Sequence, residues 1–317
     1  MTAPLPSGFF FIDKAYGMTS HDVVSKMRKI LNTRKIGHAG TLDPMATGVL
    51  ALGVGTSTRL LDYVQAGIKT YIADVVFGDK TSTGDLEGEV IETSDMSSFS
   101  EADLEVACQK FVGEINQIPP MTSAVKVDGK ALYKYARQGV EVERKIRTVN
   151  IYSIDILEFV EGEKPSAKLE IVCSVGTYIR TLAEDIGAVA GGVAHLSNLR
   201  RTKSGTIQES NLITLDQLAE SENPFELMCA PAKAMSHYKT IEFDDSQVTE
   251  IYTGRKLFLT DEQINDIKES EDTIFIGLGK SPRNLIAVYD NPYSGSVLGE
   301  SSQNGHFKSR CVIFLDL

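Results

Sequence analysis

Between Gly37 and Gly48 the chain packs three glycines, a proline and an aspartate into twelve positions, Gly37-His-Ala-Gly-Thr-Leu-Asp-Pro-Met-Ala-Thr-Gly48, and then runs straight into the apolar stretch Val49 to Val54. Glycine adopts backbone conformations closed to other residues, and the residue before a proline is driven into the extended region. Asp43 is therefore predicted to sit on a stiff, tightly turned loop. The apolar run behind it reads as a buried strand. An Asp-Pro pair alone is a turn signal, but a carboxylate held this rigidly beside a buried strand is the strongest candidate for chemistry in the sequence.

The flanking segments give this loop a setting. Ser20 to Asn32 carries Val23, Val24, Met27, Ile30 and Leu31 on one helical stripe, with Ser20 as the expected N-cap. A helix is predicted from Ser57 to Ala66, a strand at Tyr71 to Phe77, and a capping box at Ser100-Glu-Ala-Asp103 opening a helix toward Phe111. Lys130 to Gln138 reads as a basic helix closed by Gly139. Strands at Val149 to Phe159 and Lys168 to Ser174 precede a helix from Thr177 to about Ala188. Strands and helices interleave without a regular βαβ period, which predicts an α+β fold with a mixed, mainly antiparallel sheet. After about Pro231 the texture changes to short β-rich runs: Thr240 to Phe243, Lys256 to Leu259, Ile274 to Leu278, Leu285 to Tyr289 and Cys311 to Leu315. At 317 residues, two units are expected: residues 1–235, able to fold alone, and a small all-β unit at residues 236–317.

Several chemistries find no support. The cysteines Cys108, Cys173, Cys229 and Cys311 are scattered with no CxxC pair, and the five histidines form no HxxxH or HExxH pair, so no metal is expected. No P-loop, GxGxxG or GxSxG motif is complete. No apolar run approaches a membrane span, and the start lacks a basic segment followed by a long apolar core, which points to the cytoplasm. The net charge of -11 argues mildly against a polyanionic partner, but basic residues cluster at 26–35, 126–147 and 200–203. Local phosphate neutralisation, rather than net charge, governs such binding.

The motifs also carry a resemblance. Gly37-His-Ala-Gly-Thr-Leu-Asp-Pro44, continuing Met45-Ala-Thr-Gly-Val-Leu50, resembles the signature of the TruB-type tRNA pseudouridine synthases, in which the aspartate is catalytic. Lys69-Thr-Tyr71, Gln117-Ile-Pro-Pro-Met with Ser123-Ala-Val-Lys126 and Gly129, Cys173-Ser-Val-Gly-Thr-Tyr-Ile-Arg180-Thr-Leu-Ala, and Leu199-Arg-Arg-Thr202 resemble the family's further motifs in order. The resemblance spans about residues 8 to 215. A weaker one links the C-terminal unit to a PUA-like RNA-binding module through its texture and Gly254-Arg-Lys-Leu257. The chain departs from the family pattern at Thr81-Ser82-Thr83, Thr122 and Val175.

The resemblance implies isomerisation of uridine to pseudouridine at position 55 in the tRNA T arm: N1–C1′ cleavage, rotation of the base, and C5–C1′ joining, with no cofactor. Ionised Asp43 would act either as nucleophile at C1′ or as base at C2′, and Arg180 would be its ion-pair partner. Tyr71 would stack on the flipped base and offer a hydroxyl for the C5 proton. His38 would contact displaced nucleotides, and Tyr178 and Leu199 would line the uracil pocket. Lys126, Lys130, Lys134 and Arg137 would form a basic flap, about residues 121–147, closing over the T loop, while Arg200 and Arg201 reach phosphates. The implied partner is the tRNA T-arm stem-loop, with no membrane, no obligatory protein partner and a monomeric enzyme. Two other readings remain. One is an RNA-guided pseudouridylase subunit, against which stand the short N-terminus and missing lysine-rich tails. The other is a non-catalytic RNA-binding or tRNA-folding module, which intact Asp43, Tyr71 and Arg180 oppose.

Overall fold

The computed structural model describes residues 6–123, 125–127, 129–136, 138–279, 285–294, 306–307 and 309–314. In chain order the first part runs β1 (Gly8–Lys14), α1 (Ser20–Ile30), β2 (Ile36–Ala39), β3 (Thr47–Val54), α2 (Leu61–Val64), β4 (Lys69–Phe77), β5 (Asp79–Thr81), β6 (Val90–Thr93), α3 (Glu101–Gln109) and β7 (Gly113–Gln117). There follow β8 (Lys126–Val127), β9 (Lys130–Ala131), α4 (Leu132–Ala136), β10 (Arg147–Val160), β11 (Ser166–Cys173), α5 (Ile179–Val189), β12 (Ala194–Ser204), β13 (Ile207–Gln208), α6 (Leu215–Glu220) and α7 (Pro231–Ala234). The main sheet has the order β7-β10-β11-β4-β12-β3-β1, with β2 on β3 and β13 on β12. Every pair is antiparallel except β12 with β3, so the fold is α+β with a mixed, mainly antiparallel sheet.

Burial along the strands shows what covers each face. β4 and β11 alternate buried with partly exposed residues, the mark of a sheet covered on one side. β3 is buried nearly throughout, because each of its faces meets a different layer. Leu50, Leu52 and Val54 point into the core beneath α1, α3 and α5, where Val23, Met27, Leu104, Leu182 and Ile186 also lie. Val49 and Ala51 point the other way, into a second cluster. The parallel contact of β3 with β12 depends on Gly48. Its φ is +95°, and a Cβ there would lie 2.2 Å from the carbonyl oxygen of Arg201.

The second cluster is closed by the C-terminal residues. These form β14 (Thr240–Phe243), α8 (Asp245–Tyr252), β15 (Leu257–Phe258), α9 (Asp261–Lys268), β16 (Ile274–Gly279), β17 (Leu285–Asp290), β18 (His306–Phe307) and β19 (Ser309–Phe314), with the sheet order β14-β16-β17-β19. Ile274, Ile276, Ile286, Val288, Cys311 and Ile313 pack against Phe9, Ala39, Val49, Ala51, Leu60 and Val64 of the first part. The alternate residues Phe275, Leu285, Ala287 and Tyr289 pack with Val248 of α8 and Ile267 of α9. The strand runs thus lie where expected, but the unit is not all β. Asp244 and Thr260 cap α8 and α9, each through a capping box with a glutamine, a signal that strand runs hide.

Smaller differences have local causes. The N-cap of α1 is Thr19, whose hydroxyl accepts from the Asp22 amide, so Ser20 becomes a buried first-turn residue. The helix expected at 57–66 is a 3₁₀ stretch, Gly55–Leu60, followed by the single turn of α2. The basic helix after residue 130 shrinks to α4 behind the β8–β9 hairpin. Of the main-sheet strands, β1, β2, β7, β12 and β13 have no counterpart in the periodicity, and the short strands β5, β6, β8, β9 and β18 have none either.

Candidate active site

The Asp43 loop joins β2 to β3 and is fastened at several points. The Ser20 hydroxyl accepts from the Leu42 amide at 2.9 Å and donates to the Leu42 carbonyl at 3.1 Å. Lys14, with no solvent exposure, donates its ammonium to the carbonyls of Met18 (2.6 Å), Ala15 (2.9 Å) and Pro44 (3.1 Å). Burial lowers its pKa to about 8, an effect that the charge of Asp43 opposes. Arg201 donates to the Gly40 carbonyl at 2.8 Å and, through two nitrogens, to that of Val49. The loop backbone is therefore held before any substrate arrives, which is what a positioned reactive group requires.

Arg180 lies in the first turn of α5 and is 5 % exposed. Its guanidinium meets the Asp43 carboxylate at 2.9 Å and that of Asp85 at 3.3 Å. It also donates to the Thr83 carbonyl (2.9 Å) and the Thr122 hydroxyl (2.6 Å). A buried guanidinium needs such a full set of acceptors. The Asp43 side chain remains 31 % exposed and faces a cavity. Burial pushes the Asp43 carboxyl above its ordinary range. Arg180 pulls it back down, and the charge of Asp85 adds to the rise.

That cavity, of about 400 Å³, is the size of a small-ligand site. Asp43, Arg180, Tyr71, Tyr178 and Leu199 all line it, together with Lys69, Ser123, Arg147 and Arg201. Tyr71 is buried on β4, and burial raises its pKa, partly countered by the adjacent Arg201. Gln117, at the end of β7, clamps the backbone of Tyr178, accepting from its amide at 2.9 Å and donating to its carbonyl at 3.2 Å. Ser123 is buried, and its hydroxyl has no hydrogen-bond partner among the described residues. Among the described residues no group of three or more His, Cys, Asp or Glu is placed to hold a metal ion.

Other expected site residues fall elsewhere. His38 sits half-buried on β2 outside the cavity lining, with Nδ1 unpartnered among the described residues and its pKa lowered by burial. Lys126 and Lys134 are exposed on the β8–α4 segment. Lys130 is bound to Gln138 Oε1 at 2.5 Å and lies over the Tyr135 ring. Arg137 lies outside the described residues. Two expectations need correction. Arg201 is 2 % exposed and committed to backbone carbonyls, so it braces the loop instead of reaching phosphates. Arg200 pairs with both carboxylate oxygens of Asp13 at 3.0 Å and with Glu209 at 2.5 Å, so its charge is already answered within the protein. Asp85, Ser20, Lys14 and Gln117 were not expected. Ser20, Gln117 and Asp85 act through partners distant in the chain, Leu42, Tyr178 and Arg180, and Lys14 reaches Pro44 as well as its neighbours Ala15 and Met18.

Comparison with known proteins places the chain among its relatives. The family model described as TruB family pseudouridylate synthase (N terminal domain) matches residues 28–179. The model described as tRNA pseudouridylate synthase B C-terminal domain matches residues 180–226. The tRNA pseudouridine synthase B of Listeria innocua is 43% identical over 253 residues, 78% of this chain and 83% of the relative. That of Bacillus pumilus is 39% identical over 289 residues, 89% and 92% of the two chains. Of the solved structures, a Cbf5-Nop10-Gar1 complex matches with a TM-score of 0.67 at 27% identity, covering 96% of this chain and 84% of that one. An H/ACA RNP bound to a substrate RNA containing 2'-deoxyuridine matches with a TM-score of 0.64 at 27% identity, covering 89% and 77%.

Proposed function

The chain belongs to the TruB family of pseudouridylate synthases, and from that premise we propose that this tRNA pseudouridine synthase acts on the uridine at position 55 in the T arm. The observation that carries the proposal is the Asp43–Arg180 pair at 2.9 Å on the wall of the cavity. Breaking the N1–C1′ bond leaves electron deficiency at the sugar, and a fixed carboxylate is suited either to bond C1′ or to remove a proton from C2′. Arg180 favours the ionised form of Asp43 that both routes need. The detached uracil turns so that C5 faces C1′, a C5–C1′ bond forms, the C5 proton leaves, and N1, freed of the sugar, takes up a proton. Atoms and oxidation state balance without a co-reactant.

In this reading Tyr71 stacks on the uracil ring, and Tyr178 and Leu199 line the pocket around it. Burial keeps the Tyr71 phenol neutral, so it serves as a stacking face and an O–H donor. A role as acceptor of the C5 proton requires the phenolate, which only the neighbouring Arg201 favours. A uridine stacked in a folded T arm must be extruded to reach the cavity, at a cost of a few kcal/mol. His38, with its unpartnered Nδ1, and the β8–α4 segment carrying Lys126, Lys130 and Lys134 are the groups we assign to the displaced nucleotides and the loop. The identity of 43% to a tRNA pseudouridine synthase B, against 27% to the Cbf5 complex chain, favours tRNA over a guide-directed substrate. The enzyme is proposed to work as a cytoplasmic monomer, with residues 236–317 as its accessory RNA-binding unit.

The test is to incubate the protein with an unmodified tRNA transcript and map pseudouridine by chemical labelling. Product at position 55 is expected. Asp43→Asn should lose more than about a thousandfold of turnover with little change in tRNA affinity. Modification elsewhere in the tRNA, or residual activity of that variant within tenfold of wild type, would overturn the proposal.

A further inference from the structure

The cavity is bordered by four cations, and three of them are spent. Lys69 donates to the Ser204 hydroxyl at 2.8 Å and to the Gln65 carbonyl. Arg180 holds Asp43 and Asp85. Arg201 holds the carbonyls of Gly40 and Val49. The fourth, Arg147, is exposed, and no hydrogen bond or ion pair to its side chain is found among the described residues. Its place is set by the sheet. Arg147 opens β10 directly across from Gln117, the last residue of β7. Residues paired across antiparallel strands project to the same side, and on that side Gln117 clamps the backbone of Tyr178.

The substrate geometry gives this free cation a task. With C1′ at Asp43 and the base toward Tyr71 and Leu199, a nucleotide that is still part of a strand must keep its two phosphodiester links at the mouth of the cavity. The lining residues exposed at that mouth are Thr41, Arg147, Val175 and Gly176, and Arg147 alone among them is charged. Guanidinium is also the side chain best shaped to bind phosphate through two parallel hydrogen bonds. We propose that Arg147 grips a phosphate flanking the extruded uridine and so holds the sugar over Asp43. This is a positioning and binding role, separate from the bond chemistry, and it rests on the reading of the cavity as the site for a flipped tRNA uridine.

The experiment uses the full-length enzyme and an unmodified T-arm stem-loop, with single-turnover rates measured against RNA concentration at several salt concentrations. Arg147→Gln should weaken half-saturation about tenfold and flatten the log–log salt dependence by about 0.7–0.9, the value of one phosphate contact. Its rate at saturation should stay within about threefold of wild type, and its thermal midpoint should not move. Arg147→Lys should keep the wild-type slope. Val175 is exposed and lines the same mouth, so adding Val175→Lys to Arg147→Gln should restore much of the slope. An unchanged slope in Arg147→Gln, equal loss in the Lys and Gln variants, or no recovery with Val175→Lys would overturn the inference. Wild-type enzyme that leaves the stem-loop unmodified would instead sink the functional reading beneath it.

Discussion

Removing residues 236–317 tests whether the first 235 residues stand alone, as the change of texture near Pro231 suggests. The packing predicts that they do not. Truncation strips the C-terminal sheet from Phe9, Leu60 and Val64, which are at most 2 % exposed in the intact protein, and from Ala39, Val49 and Ala51 beside them. Burying a large apolar side chain is worth roughly 1.5–3 kcal/mol, so the three largest alone represent roughly 5–9 kcal/mol if fully exposed. Partial re-closure of the surface would reduce that to about half. A domain's entire stability is about 5–15 kcal/mol, and each kcal/mol moves the midpoint of a 150–250-residue domain by about 2–4 °C. A fall of roughly 5–18 °C in thermal midpoint is therefore expected, with binding of an apolar dye. The active site should suffer too. Ala39 and Val49 lie on the two strands that carry the Asp43 loop, and the Arg59 guanidinium is bound to the Val312 carbonyl at 2.7 Å. Turnover of an isolated T-arm stem-loop should fall along with that of whole tRNA. A truncated protein within about 3 °C of the intact midpoint and equally active on the stem-loop would refute this reasoning.

Two further outcomes are expected. Tyr71→Phe keeps the ring and loses the hydroxyl, so RNA binding should persist while pseudouridine formation drops; full activity by chemical mapping would remove the hydroxyl from the mechanism. The acid limb of kcat/KM reports ionisation of Asp43, whose pKa burial raises, so activity should be lost as pH falls through a midpoint above the ordinary carboxylate value of about 4. The charge of Asp85 adds to that rise, and Asp85→Asn should shift the limb to lower pH; a wild-type limb at or below about 4 would contradict the assignment.

What could be read from the sequence was what local constraints determine. The Asp43 loop was visible because glycine and pre-proline restrictions act on neighbouring residues, and Gly40 and Gly48 do adopt positive φ. The stripe of α1 and the capping box of α3 were visible for the same reason. The pairing of Arg180 with Asp43 was not local and came only through family resemblance. Asp85, which shares the same guanidinium, had no sequence signal at all. Arg200 and Arg201 were misread because consecutive arginines in a sequence look like a solvated or phosphate-binding cluster. Apart from Glu209, their acceptors, Asp13 on β1, Val49 on β3 and the loop residue Gly40, lie far away in the chain. The double-sided burial of β3 was half legible: an unbroken apolar run says that both faces are covered, but not by what.

These buried cations also bear on how a chain of net charge -11 handles a polyanion. Lys14, Lys69, Arg180 and Arg201 converge on the Asp43 loop and the cavity floor, where Asp43 and Asp85 oppose them and Glu87 and Asp22 also act on Lys14. With pKa values lowered only to about 8, the two lysines remain mostly charged at neutral pH. Positive charge is thus gathered in a low-dielectric surround, where fields are screened less than at the surface. The hydrogen bonds of these cations are already taken by carbonyls and hydroxyls, so they cannot leave to grip phosphates. A charge needs no free hydrogen bond to attract one of opposite sign, and a cleft with walls of one sign focuses its field outward. The floor draws the phosphate backbone toward the mouth, and the exposed Arg147 is placed there to meet it. Attraction and contact are thereby divided between buried and exposed cations.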